Sequence, residues 1–92
     1  MKVTVRIFGE LTAILGNRHI LELVDDSNVG VLVNRLARMS GQTVSGFLGE
    51  HRIDDRDIAI LVNGRNTELL DGMKTVLSDD DEVVFLIPTA GG

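Results

Sequence analysis

Ninety-two residues, 43% apolar and 25% charged, specify one globular domain rather than a disordered tail. The absence of cysteine excludes disulfides, thiolate metal sites and thiol catalysis on this chain, and with three Phe but no Trp or Tyr there is little material for stacking on nucleic-acid bases. The net charge is −5, with most acidic side chains after residue 40, so a phosphate backbone would be repelled and a basic protein surface is the expected partner.

Residues 2–8 alternate, with Val3, Val5 and Ile7 on one side and Lys2, Thr4 and Arg6 on the other, the period of a half-buried strand. Gly16-Asn17 marks a turn, although residues 10–15 make the connection longer than a two-residue hairpin. A second strand is expected over residues 19–24, with Leu21 and Leu23 inward and His19 and Glu22 outward. Asp25, Asp26, Ser27 and Asn28 then supply acidic and capping groups, with Asn28 or Ser27 the expected N-cap. Val29, Leu32, Val33, Leu36 and Met39 recur at three- and four-residue steps, the apolar stripe of an amphipathic helix that ends at Ser40-Gly41. Arg35 and Arg38 sit toward its C-terminal end, where cations suit the dipole.

Across residues 41–57 the pattern fades. Val44, Phe47 and Leu48 suit one helical turn, which Gly41, Gly46 and Gly49 weaken. Ile58, Ile60 and Val62 alternate with Ala59 and Leu61 before an Asn63-Gly64 turn. A short extended piece is expected near residues 67–70, with a turn at Asp71-Gly72. The acidic run 78–82 enters a last strand over residues 83–87, and Pro88, lacking a donor, ends regular pairing.

A hairpin, one helix and further strands imply an α+β domain of β-grasp architecture: a mixed sheet of four to five strands with one main helix on one face. The first and last strands run parallel at its centre. Residues 1–88 form this domain and residues 89–92 a mobile tail. The longest continuous apolar run, residues 58–62, is too short to cross a membrane, and the N-terminal residues lack the apolar core of a signal peptide. The expected setting is cytoplasmic, with neither membrane nor nucleic acid as partner.

The chain ends in Thr89-Ala90-Gly91-Gly92. A carboxylate is a poor electrophile until its oxygen becomes a good leaving group, which an acyl-adenylate made from ATP provides. Terminal glycines suit such chemistry because the absent Cβ lets the tail thread a narrow channel. The chain has no P-loop pattern and no cysteine, so activation and sulfur delivery must come from partners.

Residues 7–11 (Ile-Phe-Gly-Glu-Leu), 60–64 (Ile-Leu-Val-Asn-Gly), 80–88 (three acidic residues, then Val-Val-Phe-Leu-Ile-Pro) and Gly91-Gly92 together resemble the MoaD/ThiS family of ubiquitin-like sulfur carriers, above all the small subunit of molybdopterin synthase. The molybdopterin branch often ends its last strand with two prolines, and Ile87 stands in place of the first. The resemblance implies a ubiquitin-like fold. It also implies that Gly92 is adenylated by a ubiquitin-activating-type enzyme, which uses the ATP, and is then thiocarboxylated by a sulfur donor. Thr89, Ala90 and Gly91 would thread into the molybdopterin synthase large subunit, which donates the catalytic lysines. The resemblance also leaves open sulfur delivery to a thiazole synthase for thiamin, and conjugation of Gly92 to lysines of target proteins. No cofactor is expected on the chain itself.

Period-two patterning adds a docking surface. With Val3, Val5, Ile7, Ile60, Val62, Val83 and Phe85 inward, Phe8, Leu61, Val84 and Leu86 face outward on neighbouring strands as one apolar patch. His19 and His51 read as isolated polar residues, residues 79–82 as a solvated turn without the spacing of a calcium loop, and no catalytic site emerges within the chain. A plain β-grasp interaction module with incidental glycines is the remaining alternative; removing Gly91-Gly92 would spare its binding but abolish either carrier function.

Overall fold

The structure, a computed structural model, describes residues 1–9, 12–39, 52–53 and 56–86. The opening alternation becomes strand β1 (Lys2–Ile7), in which Val3, Val5 and Ile7 are buried. A four-residue helix α1 (Thr12–Leu15) lies in the connection to β2 (Arg18–Glu22), and Leu15 from that helix joins the core. Helix α2 (Val29–Met39) follows; two-residue strands β3 (Arg52–Ile53) and β4 (Arg56–Asp57) pair with each other, a ladder that the sequence pattern did not announce. Strands β5 (Ala59–Val62), β6 (Arg65–Asn66) and β7 (Glu82–Leu86) complete a five-stranded sheet of order β2-β1-β7-β5-β6.

Strands β1 and β7 are parallel neighbours at the centre, and the other pairs are antiparallel. A parallel pair needs a long crossover, and the chain between them supplies it. Asn28 caps α2: its Oδ1 accepts from Val31 N at 3.0 Å. Ser27, the other candidate cap, instead donates its hydroxyl to the Val24 carbonyl at 2.6 Å. Val29, Leu32, Val33, Leu36 and Ala37 are buried in one core with Val3, Val5, Ile7, Leu21, Leu23, Ile60, Val62, Val83 and Phe85 of the sheet side. Ile58 and Leu77 also join that core.

Four expectations change. Met39, assigned to the apolar stripe, is 52% exposed, and Ala37 is buried instead. The two lie about 80° to either side of the stripe's centre, and the helix is rolled so that the smaller side chain meets the core. His19 was expected outward; the alternation of β2 places it with Leu21 and Leu23, half-buried, and its Nε2 meets the carbonyl oxygen of Leu15. The second strand covers residues 18–22 rather than 19–24. Near residues 67–70 there is a 3-10 turn over Thr67–Leu69 in place of an extended piece. The cause is local. Asn63 (φ 50°) and Gly64 (φ 84°) make a two-residue primed turn, so pairing resumes at once with Val62 opposite Arg65. Asn66 then caps the following turn by accepting from Glu68 N at 2.9 Å.

The expected turn of Val44, Phe47 and Leu48, the helix end at Ser40-Gly41, His51, the strand end at Ile87-Pro88 and the tail Thr89, Ala90, Gly91 and Gly92 lie outside the described residues. Among the described residues, no helix is long and apolar enough to cross a membrane.

Candidate functional site

Register decides which outward side chains meet on the sheet face away from α2. Leu61 lies opposite Val84, Val84 opposite Arg6, and Arg6 opposite Arg18. A single lateral row therefore runs Arg18, Arg6, Val84, Leu61, Asn66. In the next row Leu86 lies opposite Ala59. Phe8 extends the β1–β7 ladder beside Leu86, its N–H donating to the Phe85 carbonyl at 3.0 Å.

Phe8 is 45% exposed, while Leu61, Val84 and Leu86 are half-buried. The Arg6 guanidinium carbon stands 5.4 Å from the Phe8 ring centroid, a cation–π distance that fixes the ring on the outer face with Arg6. The structure thus places Phe8, Leu61, Val84 and Leu86 on one face at the centre of the sheet. Arg6 and Arg18 adjoin this patch and were not singled out in the sequence. The alternation of β1 already turned Arg6 outward; Arg18 became its neighbour only once the helical turn in the β1–β2 connection had set the register.

The acidic run behaves as a structural turn. Asp79 Oδ1 accepts from Lys2 N at 2.7 Å, Asp81 Oδ2 from Ser78 N at 2.8 Å, and Asp81 Oδ1 from Asn63 Nδ2 at 2.8 Å. Asn63 Oδ1 in turn accepts from Glu82 N at 2.9 Å, which ties the β5–β6 turn to the start of β7. Among the described residues no three His, Asp or Glu side chains converge as a metal site.

A five-stranded mixed sheet, with parallel central strands and one long helix on one face, defines a ubiquitin-like β-grasp protein. Residues 5–92 match the ThiS family. The chain belongs to that family, and the match spans nearly all of it, the terminal glycines included. It is 35% identical over 94 residues to small archaeal modifier protein 3 of Haloferax volcanii, covering 100% of both chains. It resembles the solution structure of small archaeal modifier protein 1 from Methanosarcina acetivorans (TM-score 0.73, 26% identity, 99% of this chain and 96% of that one). It also resembles a chain of the complex between subunits 1 and 2 of molybdopterin-converting factor from Helicobacter pylori 26695 (TM-score 0.60, 26% identity, 100% of each).

Proposed function

We propose that this chain is a cytoplasmic sulfur carrier that serves as the small subunit of a molybdopterin synthase, with Gly92 as its reactive end. The observation that carries this reading is a family match that runs through Gly91-Gly92 on a chain whose outer sheet face presents an apolar patch. The Gly92 carboxylate attacks the α-phosphorus of ATP within a ubiquitin-activating-type enzyme and expels pyrophosphate. Sulfide from a donor then adds to the acyl-adenylate carbonyl and expels AMP, leaving a thiocarboxylate. Thr89, Ala90 and Gly91 thread the partner's channel, while Phe8, Leu61, Val84 and Leu86 dock it. The chain itself binds no cofactor. Likeness to one chain of the Helicobacter pylori two-subunit complex supports a large subunit as the acceptor.

A second reading is a protein modifier: a target lysine amine attacks the same adenylate, expels AMP, loses a proton and forms an isopeptide bond. Full-length identity of 35% to small archaeal modifier protein 3 favours it. Delivery of the same sulfur to a thiazole synthase is a variant of the first. These readings separate when the thiocarboxylated chain is offered to a molybdopterin synthase large subunit with a sulfur-free pterin precursor. Molybdopterin formed as the thiocarboxylate is consumed supports the first reading. No product there, together with isopeptide adducts when the chain is instead incubated with ATP, the adenylating enzyme and added proteins, selects the second.

A further inference from the structure

The two ends of β1 differ in the charged residues beside them. Near the start of β1 lie three acidic residues: Asp79 accepts from Lys2 N, Asp80 N donates to the Lys2 carbonyl at 2.7 Å, and Asp25 pairs with the N-terminal amine at 3.2 Å. About 13 Å further along β1, at the end where β7 finishes, two arginines face each other directly across strands, Arg6 opposite Arg18. Like charges in that position oppose folding. Glu82 answers only Arg6, at 3.9 Å and half-exposed, and Arg18 has no ion pair among the described residues. A cleft of about 410 Å³ opens beside the pair, with Arg6, Arg18 and Phe8 in its lining and the buried Ile7 among the other residues that line it.

We infer that this cleft is the anchor for a carboxylate-bearing segment of a protein partner, with an apolar side chain of the same segment resting on Phe8 and the adjoining patch. Two arginines at opposed positions on neighbouring strands, both lining the cleft, can bring planar guanidinium forks to one carboxylate. Arg6 is held beside Phe8 by its contact with the ring, and a partner carboxylate has only the long, half-exposed contact with Glu82 to compete with. Continuity with the apolar residues Phe8 and Leu86 selects a protein segment, and the net charge of −5 disfavours a nucleic-acid backbone. The overall acidity had pointed to a basic partner; at this end of the sheet the complementary surface is acidic. The inference uses the carrier reading only for the identity of the partner, which would present the carboxylate near its tail channel.

The test is an NMR titration of the ¹⁵N-labelled full chain with the peptide acetyl-Glu-Leu-Glu-Leu-amide, with acetyl-Gln-Leu-Gln-Leu-amide and inorganic phosphate as controls. Saturable shifts at Arg6, Phe8, Gly9, Asn17 and Arg18 with the Glu peptide are expected, weakened about fivefold for each of Arg6→Ala and Arg18→Ala, the scale of an exposed charged pair. Equal binding of the Gln peptide, shifts confined to other faces, or phosphate matching the peptide would each overturn the inference, the last by showing a free-anion site. In parallel, the double variant Arg6→Glu/Arg18→Glu is expected to raise the KM for this chain in the adenylating reaction with kcat unchanged, and Arg6→Lys/Arg18→Lys to lie between it and the parent. A parent chain that binds the peptide yet is never adenylated would refute the carrier reading and leave the anchor standing.

Discussion

Replacing Phe85 with alanine removes the largest fully buried side chain among the described residues, from the strand that pairs with both β1 and β5. A buried Phe→Ala change costs about 3–5 kcal/mol, against a total stability of about 5–14 kcal/mol for a chain of this length. At about 4–8 °C per kcal/mol the Tm falls by at least about 12 °C. Val84, one residue away, is half-buried on the opposite face. Losing its two methyl groups there costs about 1 kcal/mol, a Tm change of about 4–8 °C. Far-UV circular dichroism is the assay, since the chain has no Trp or Tyr to report by fluorescence. The milder Phe85→Leu keeps the comparison measurable if Phe85→Ala does not fold. The functional consequences should invert: Val84→Ala weakens binding to the adenylating enzyme by about fivefold to tenfold, whereas folded Phe85→Leu leaves it unchanged. Equal destabilisation at the two positions would refute the assignment of faces, and unchanged binding by Val84→Ala would refute the docking role.

Three further expectations concern the scaffold. Asn63→Ala should lower stability by about 1–3 kcal/mol in urea unfolding, because alanine tolerates positive φ less well than asparagine and the bonds to Asp81 and Glu82 are lost; Asn63→Gly should recover only the conformational part. Asn28→Ala should cost about 1 kcal/mol by the same measurement through the lost cap, and Asn28→Asp should be close to neutral. Millimolar calcium should leave the Tm unchanged, since Asp79 and Asp81 already accept from Lys2, Ser78 and Asn63 within the turn; a rise in Tm would show a cation site there.

Much of the scaffold was legible because period governs it. Alternation in residues 2–7, 58–62 and 83–85, and the helical stripe from Val29 to Leu36, identified the inner face of both layers, and the Asn-Gly pair named its own turn. What stayed hidden depends on contacts between distant segments. The stripe alone could not choose between Ala37 and Met39, which flank it symmetrically. The core roles of Leu15 and Leu77 come from irregular or very short segments with no period to read. The outward patch followed from alternation, but the Arg6–Arg18 pairing required the β1–β2 register, which a four-residue helix in the connection had obscured.

The central claim is that Gly92 is an activatable acyl terminus. The most direct test is the intact mass of the chain after incubation with ATP, a ubiquitin-activating-type adenylating enzyme proven on a control carrier, and a sulfide donor. The account predicts a shift equal to the exchange of one oxygen for sulfur, localised by fragmentation to Gly92 and absent from a chain lacking Gly91-Gly92. An unchanged mass alongside a fully converted control would contradict it.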